Sequence, residues 1–280
     1  MKTHKPSRPL MRFHGSKFRK GEWTVRHFWK SKIYVDTNGG ALGVLGFKPR
    51  SYAEIVNDLD KEIVNLYRVV RNPDECLNLI HLLTLTPFAR EEFDLALIPS
   101  GDPVEQARRT ITKSMLGFSS DAVTRGYRTG FRTGNFKSGR YCAADWASFP
   151  PSLRFWLQRL QGVVIENMDM FELIPSKDSP DTLFYVDPPY LHSTRHRQGK
   201  HHGYRHELAE AQHIQLAGVL HSIEGKAVIA HYRCPLYDEM YSDWHREDAV
   251  SYAQSGGGKG SSRRIESIWM NYKPSQMELF

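Results

Sequence analysis

The chain has 280 residues, of which 40% are hydrophobic, and carries a formal net charge of +7 at pH 7. No apolar run approaches the ~20 residues of a membrane span, and the basic N-terminus lacks the apolar stretch of a signal peptide, so we expect no membrane association and a cytoplasmic protein. The three cysteines have no metal-ligand or CxxC spacing, which indicates a reducing compartment without a disulfide framework.

In chain order, the sequence predicts strands that alternate with helices. The predicted strands cover residues 32–35, 52–56, 163–165, 183–186, 227–230 and 265–271. Predicted helices cover 23–29, 62–70, 75–85, an interrupted stretch over 91–113, 153–160 and 206–221. The Gly- and Ser-rich residues 255–262 are expected to form a mobile connector. This alternation predicts an α/β fold with a mainly parallel sheet.

A short motif, Asp187-Pro188-Pro189-Tyr190, directly follows the predicted strand 183–186. Proline cannot donate to a sheet ladder, so the strand must end there, at the edge where open α/β sheets bind ligands. The Asp187 carboxylate and the Pro188 carbonyl can each accept one N–H of an exocyclic amine, and Tyr190 can stack on a planar base. The motif therefore suits chemistry on the amino group of a base, although an Asp-Pro-Pro turn with a packed tyrosine fits the tetrapeptide equally well.

Asp-Pro-Pro-Tyr is the catalytic motif of amino-group methyltransferases, and the chain resembles the Dam-like, phage-type N6-adenine-specific DNA methyltransferases. The segments that carry the resemblance occur in the family's order: Phe13-His14-Gly15-Ser16-Lys17, Tyr34–Gly40, Asn57-Asp58, the motif itself, Gly225–Tyr232 and Arg264–Trp269. The resemblance spans nearly the whole chain. It implies methyl transfer from S-adenosylmethionine to a flipped-out adenine in double-stranded DNA, serving restriction-modification, phage defence evasion or regulation in a bacterial or phage-infected cell.

The fold that the resemblance implies is a class I, Rossmann-like methyltransferase sheet split by an insertion. Residues 1–72 and 160–280 would form the catalytic, cofactor-binding domain. Residues 73–159 would form a target-recognition domain made mostly of helices and loops. We expect a monomer or a weak dimer.

Several residues are predicted to bind the cofactor. Gly39 and Gly40 follow a strand and allow a ligand to approach the backbone closely, and Asp58 ends the next strand, where a carboxylate commonly binds ribose hydroxyls. A plain turn at the glycines and a helix cap at Asp58 are the alternatives. The resemblance adds five predicted cofactor-binding residues. They are Phe13 and Lys17, Asp36 in the acidic position of the segment Tyr34–Gly40, and Asp169 with Met170 beside the cofactor adenine.

Two departures from the family's pattern bear on activity. The acidic-Pro-Phe segment is here Asp36-Thr37-Asn38, which loses a rigid proline and an aromatic wall. The late Ser-Gly-Tyr-like segment is here Ala230-His231-Tyr232. The alternatives to an adenine-specific DNA methyltransferase are therefore a catalytically weakened DNA-binding protein on the same scaffold, or an amino-methyltransferase acting on cytosine N4 or on RNA adenine.

Basic side chains concentrate between residues 90 and 159, among aromatic residues and glycines, in a pattern typical of a nucleic-acid surface. A solvated basic face would give a similar composition. The candidate DNA-binding residues are Arg125, Arg128, Arg132, Lys137, Arg140 and Arg195. Arg128 and Arg132 are predicted to contact bases, because they lie in a glycine-spaced stretch beside aromatic residues.

The histidines after the motif, from His192 to His206, are mixed with arginine and lysine. Metal sites need ligands at defined spacings, usually with a carboxylate or thiolate, so we expect no metal here. A basic loop over DNA phosphates is the preferred interpretation.

Overall fold

A computed structural model of the protein describes residues 5–118, 120–126, 128–133, 141–195, 203–253 and 262–274. Its strands form one seven-stranded sheet in the order β3-β2-β1-β4-β5-β7-β6. The strands are β1 (Ile33–Asp36), β2 (Ala53–Asn57), β3 (Val163–Glu166), β4 (Thr182–Val186), β5 (Lys226–Tyr232), β6 (His245–Ala253) and β7 (Ser262–Met270). Strands β1 to β5 pair in parallel, whereas β7 is antiparallel to both β5 and β6.

The predicted sheet is thus confirmed, with one strand missed. β6 was not predicted because its sequence, beginning His-Arg-Glu-Asp, is largely charged and half-exposed. It forms because it pairs along its whole length with β7. The predicted mobile connector 255–262 falls almost entirely outside the described residues.

The helices of the described residues are α1 (Gly21–Val25), α2 (Lys61–Arg71), α3 (Pro73–Leu85), α4 (Arg90–Ala96), α5 (Pro103–Leu116), α6 (Asp121–Thr124), α7 (Cys142–Ala147), α8 (Leu153–Leu160), α9 (Met170–Ser176), α10 (Glu210–Ser222) and α11 (Pro235–Met240). Single 3₁₀ turns occupy Phe18–Lys20, Leu45–Phe47, Pro150–Ser152 and His192–Thr194. The predicted helix 23–29 is shorter than expected, and the helix predicted from residue 206 begins at Glu210.

Side-chain caps fix where several helices begin. Asp60 accepts the backbone N–H of Glu62 to start α2, and Asn72 accepts two N–H groups to start α3 at Pro73. Asp102 caps α5 in the same way, again followed by proline. Proline in the first helical turn needs no hydrogen-bond partner, whereas it stops a preceding helix, so Pro73 separates α2 from α3 and Pro103 begins α5.

Alternate residues of the central strands feed two hydrophobic cores, one on each face of the sheet. In β4, Leu183 and Tyr185 join the larger core with α2, α3, α5 and α8, while Phe184 and Val186 join the smaller core with α9, α10 and α11. Because both faces are covered, β4 is buried at all five positions and is apolar except for Thr182.

The segment 73–159 packs against the rest of the chain through helices. Helix α5 packs against α2, α3 and α4, and α8 returns to contact α2 and α3. Its buried residues, including Leu83, Ile111 and Trp156, belong to the same core cluster as Tyr34 and Val56 of the sheet. The segment therefore shares its hydrophobic core with the sheet rather than enclosing one of its own. The domain boundaries at residues 73 and 159 stay a prediction.

One buried ion pair joins the end of this segment to the sheet. Glu54 of β2 is 2% exposed, and Arg159 of α8 contacts its two carboxylate oxygens at 2.6 Å and 3.0 Å. Lys48 approaches the same carboxylate at 3.1 Å. Removing one member of such a group leaves a buried charge with too little compensation.

We expect Arg159→Met to destabilise the protein by about 3 kcal/mol, because Glu54 would lose its bidentate partner and keep Lys48 at 3.1 Å, the Ser51 N–H at 3.2 Å and the half-exposed Arg50 at 3.5 Å. The control is Arg154→Met on the same helix, where the arginine is exposed and the change should stay within about 0.5 kcal/mol. Urea unfolding of both variants measures the difference. Equal effects would mean that the ion pair adds nothing to stability.

Candidate active site

Three carboxylates meet at the carboxyl edge of the parallel strands. Asp36 is the last residue of β1, Asp58 directly follows β2, and Asp187 directly follows β4. In the strand registers, Asp36 lies opposite Val56 of β2 and Tyr185 of β4. The chain runs outward from β1 to β2 on one side and to β4 on the other, so this edge is the topological switch point where open α/β sheets bind ligands.

Asn57 holds the loops at this edge together. Its side-chain amide donates to the carbonyl oxygens of Thr37 at 2.9 Å and of Met168 at 3.0 Å, and its amide oxygen accepts the N–H of Met168 at 2.8 Å. The residue is 1% exposed. Asn57 therefore links the ends of β1, β2 and β3, a role that the sequence did not reveal because an Asn-Asp pair also suits a turn.

The loop after β1 closes tightly over the edge. Gly40 has a φ of +51°, a conformation that favours glycine, and its N–H donates to Asp58 Oδ2 at 2.9 Å. A Cβ at Gly39 would lie 2.8 Å from the Tyr67 hydroxyl, which donates to the Gly40 carbonyl. The ring of Phe13 lies against Gly40. The structure thus brings together four predicted cofactor-binding residues: Phe13, Gly39, Gly40 and Asp58.

A lysine lies between two of the acidic groups. Lys17 Nζ is 2.9 Å from Asp187 Oδ1 and 3.5 Å from Glu266 Oε1, and the Lys17 side chain is 9% exposed. The contact with Asp187 is an ion pair whose angles are not those of a hydrogen bond. Although burial opposes its charge, the two carboxylates raise the pKa of Lys17 above its ordinary value. Lys17 is therefore a permanent cation beside Asp187.

The contacts of Tyr190 fix the orientation of its ring. Its hydroxyl donates to Glu266 Oε1 at 3.1 Å, and Lys17 Nζ lies 4.7 Å from the ring centre. The rings of His231 and Tyr232 are 4.5 Å and 4.8 Å away. Pro188 is buried and Pro189 half-buried, so the whole motif is held between β4 and its neighbours.

Two functional candidates were missed by the sequence reasoning. Glu266 of β7 contacts Lys17, Tyr190 and, at 2.9 Å, Lys20. These lysines hold its pKa below the ordinary value although burial acts in the other direction. The signal that could have found it is a lone acidic residue inside an apolar strand.

The second is His231 of β5. Its Nε2 accepts the backbone N–H of Leu191 at 2.9 Å, so the proton sits on Nδ1, which donates to the Tyr232 carbonyl at 2.7 Å. Burial lowers the pKa of His231 to about 3, so the ring is neutral. His231 thereby ties the residue that follows the Asp-Pro-Pro-Tyr motif to the sheet.

The three carboxyl groups at the edge differ in their affinity for protons. Burial raises the pKa of Asp36 to about 8, with a further contribution from the negative charge of Asp187. Burial raises the pKa of Asp58 and of Asp187 to about 6 each, against the opposing effects of backbone N–H groups on Asp58 and of Lys17 on Asp187. At neutral pH Asp36 is mostly protonated, whereas Asp58 and Asp187 are mostly ionised.

Asp169 and Met170 lie beside this edge, at the start of α9. The exposed Asp169 accepts the N–H of Phe171 at 2.9 Å and caps the helix, and Met170 is buried in the smaller core. Their predicted contact with the cofactor adenine stays a prediction.

The predicted DNA-binding arginines are in different situations. Arg195 is 11% exposed and paired through both guanidinium nitrogens with Glu207, whereas Arg128 is 67% exposed and 2.9 Å from Asp94. Arg125 is half-buried against Gly203. Arg132 is half-buried, and its Nη1 is buried without a hydrogen-bond partner among the described residues. Lys137 and Arg140 lie outside the described residues.

No group of three or more His, Cys, Asp or Glu side chains able to hold a metal ion occurs in the part of the chain that the structure describes. Of the five histidines from His192 to His206, three (His196, His201 and His202) are outside that part. None of the described helices combines the length and hydropathy required to cross a bilayer.

Residues 13–252 match the family model of the D12 class N6 adenine-specific DNA methyltransferases. The chain belongs to this family. The match confirms the resemblance drawn from the motifs, and with it the Rossmann-like methyltransferase fold and methyl transfer as the activity of the protein.

Solved structures similar to this chain include three methyltransferases. A putative methyltransferase from Escherichia coli is 10% identical over 98% of this chain and 92% of its own, with a TM-score of 0.33. A precorrin-6y C5,15-methyltransferase from Geobacter metallireducens is 9% identical over 94% and 99%, with a TM-score of 0.36. An SAM-dependent methyltransferase from Agrobacterium tumefaciens is 10% identical over 94% and 64%, with a TM-score of 0.37. No curated protein sequence matches the chain.

The raised pKa of Asp36 predicts a pH-dependent stability. The folded protein binds a proton at Asp36 below about pH 8, whereas the unfolded chain binds it only below its ordinary pKa of 3.8. The free energy of unfolding of the wild type minus that of Asp36→Asn should therefore fall as the pH rises from 5 to 8, by up to about 1.4 kcal/mol per pH unit. Above pH 8 this difference should level off. Denaturant unfolding of ligand-free protein at several pH values measures this difference; a constant difference would contradict it.

Proposed function

We propose that this methyltransferase transfers a methyl group from S-adenosylmethionine to N6 of an adenine flipped out of double-stranded DNA. The observation that carries the proposal is the position of Asp187-Pro188 at the carboxyl edge of β4, beside the strand-end carboxylates Asp36 and Asp58. An amine acceptor and a candidate nucleotide-binding loop thus share one side of the sheet at its switch point. Membership of the family supports adenine in DNA as the substrate.

The residues at this edge fit the proposed cofactor. Asp36 is 2% exposed and its Oδ1 has no hydrogen-bond partner among the described residues, so a cationic ligand would relieve a buried and unsatisfied carboxyl group. Asp58 and the Gly39-Gly40 backbone would hold the ribose side, and Phe13 would line the pocket. When bound, S-adenosylmethionine supplies a methyl group on a sulfonium that is already electrophilic. Lys17, Asp169 and Met170 complete the proposed set.

Asp187 would act on the amine. The carboxylate would accept one N–H of the adenine amino group and the Pro188 carbonyl the other, which directs the nitrogen lone pair away from the ring. Because Lys17 lowers the pKa of Asp187 against the effect of burial, the acceptor is mostly ionised at neutral pH. The proton released from the methylated nitrogen would pass to Asp187 and then to solvent.

The altered segment Asp36-Thr37-Asn38 favours an enzyme over a weakened binding protein. Thr37 donates through both its N–H and its hydroxyl to the Tyr185 carbonyl, at 3.0 Å and 3.2 Å. Its own carbonyl accepts the Asn57 amide at 2.9 Å. The segment is thus anchored to β2 and β4 by hydrogen bonds at the position where the family has a rigid proline, so the loss of proline leaves the loop held.

The insertion 73–159 would recognise the target, with Arg125, Arg128, Lys137 and Arg140 as its candidate DNA-binding residues. Cytosine N4 and RNA adenine remain the competing substrates, because an Asp-Pro acceptor pair suits any exocyclic amine. Incubating the protein with S-adenosylmethionine and mixed plasmid DNA, then mapping modified bases by sequencing, distinguishes them. N6-methyladenine at one sequence context is the expected result; N4-methylcytosine, or methylation of RNA alone, would overturn the proposal.

Asp187→Ala should lower turnover on DNA by on the order of 10²–10³ or more while DNA binding persists, because the carboxylate acts on the amine and not on phosphates. The control is Asp181→Ala, which removes a carboxylate at the opposite end of the same strand, paired with Lys32 at 2.7 Å. Single-turnover methylation and DNA-binding titrations measure the two effects. Near-normal turnover of Asp187→Ala would remove this carboxylate from the mechanism.

Lys17→Met should move the acid limb of the turnover profile to higher pH. Burial raises the pKa of Asp187 and Lys17 lowers it, so losing the lysine lets the pKa rise above about 6. Lys20→Met is the matched control, because Lys20 pairs with Glu266 and not with Asp187. Turnover at saturating cofactor and DNA is measured from pH 5 to 9. An unshifted acid limb in Lys17→Met would show that Lys17 does not set the ionisation of Asp187.

A further inference from the structure

Two arginines outside the proposed catalytic site are held next to each other at the end of α5. The Arg12 carbonyl accepts the Ser114 hydroxyl at 2.6 Å, and the Arg132 N–H donates to the Leu116 carbonyl at 2.7 Å. Ser114 and Leu116 are two residues apart in the last turn of the helix. The backbones of the two arginines are therefore fixed to one short stretch, although they are 120 positions apart in sequence.

Neighbouring contacts also hold the backbone of Arg132 in place. Gly117 and Phe131 form an antiparallel bridge, and the Phe118 N–H donates to the Gly130 carbonyl at 2.7 Å. The Phe131 ring lies 5.3 Å from the ring of Phe88. Arg132 is thus carried by an ordered and packed connection.

Neither guanidinium group forms an ion pair within the described ranges. Both side chains are half-buried, and only the Nη1 atom of each is buried without a hydrogen-bond partner. Burial and the neighbouring charge of Arg132 lower the pKa of Arg12, while Asp145 acts in the other direction. Asp145 itself is engaged at 2.6 Å by Arg8.

The sequence that follows Arg132 adds no negative charge to balance the two arginines. Residues 134–140, which follow Arg132, contain no aspartate or glutamate and add Lys137 and Arg140. The carboxyl end of α5 contributes a partial negative charge of about one half, which offsets only part of two full positive charges. Two half-buried arginines with fixed backbones and no carboxylate partner among the described residues are suited to an anion that accepts several hydrogen bonds.

We propose that Arg12 and Arg132 together grip one phosphate of the DNA backbone beside the methylated base. This inference rests on the proposed function and deepens it, because it assigns Arg132 to phosphate binding rather than to base reading. Arg12 directly precedes Phe13, whose ring lies against Gly40 of the cofactor loop, so the phosphate would lie near the reacting centre. Such a contact positions the target strand and carries no sequence information.

The test compares DNA binding by Arg12→Ala, Arg132→Ala and the double variant over a range of salt concentrations. Each single change should weaken binding about 10- to 100-fold, as expected for losing hydrogen bonds to a charged group. The double variant should lower the slope of log affinity against log salt by about 0.9, the loss of one phosphate contact. Arg154→Ala removes an equal charge from the exposed face of α8 and should leave the slope unchanged.

Methylphosphonate duplexes locate the contact. One neutral substitution in the target strand should weaken wild-type binding and have no further effect on the double variant. Arg12→Lys and Arg132→Lys, which keep the charge and lose the guanidinium fork, should weaken binding while retaining the salt slope, and thermal unfolding checks that every variant is folded.

Three outcomes would overturn the inference while leaving the proposed function intact: an unchanged salt slope in the double variant, a changed site preference in Arg132→Ala, or weakened S-adenosylmethionine binding without DNA. The first would show that the pair touches no phosphate, the second that Arg132 reads a base, and the third that the pair holds the cofactor carboxylate. If the wild type neither binds nor methylates DNA, the proposed function itself fails, which is a distinguishable result.

Discussion

The structure of the site depends on a cluster of buried carboxyl groups at one edge of the sheet. Parallel pairing brings Asp36 and Asp187 to adjacent strand ends, and Glu266 reaches the same place from β7. Lys17 is the cation shared by Asp187 and Glu266, so the chain must bring its N-terminal segment across the sheet to place it there. Asp36 lacks a comparable partner and instead retains its proton.

The protonation of these carboxyl groups is coupled to binding of the proposed ligands. A protonated Asp36 and an ionised Asp187 lie close enough to influence each other, so a cationic cofactor beside Asp36 would favour loss of its proton and complete the charge balance. Arg12 and Arg132 are the basic counterpart, because the Nη1 atom of each is buried without a hydrogen-bond partner among the described residues. The protein thus keeps unsatisfied polar atoms of acidic and of basic side chains at the places where ligands are proposed to bind.

The sequence predicted those elements whose formation depends on residues close to one another in the chain. Strand β4 was predicted because an apolar run is ended by two prolines, and α2 because Ile63, Leu66, Tyr67 and Val70 recur at helical spacing. Strand β6 was missed because it begins with His-Arg-Glu-Asp and carries little hydrophobic signal of its own, so its formation depends on pairing with β7. The site shows the same difference. Asp187 was predicted from its motif, whereas Glu266 is brought to the site by the pairing of β7 with β5, which the sequence does not specify locally.

The predicted DNA-binding arginines show why composition alone could not assign roles. Arg128 and Arg195 contribute equally to a count of positive charges, yet Arg195 is buried against Glu207, while Arg128 extends into solvent beside Asp94. An arginine whose donors are already taken by a carboxylate stabilises the fold, and releasing it for DNA would deprive the half-buried Glu207 of its bidentate partner. Arg132 differs from both because it is half-buried, has no ion pair among the described residues and has one buried nitrogen, Nη1, without a hydrogen-bond partner. The distinction depends on which carboxylates fold next to each arginine, and no spacing rule in the sequence contains that information.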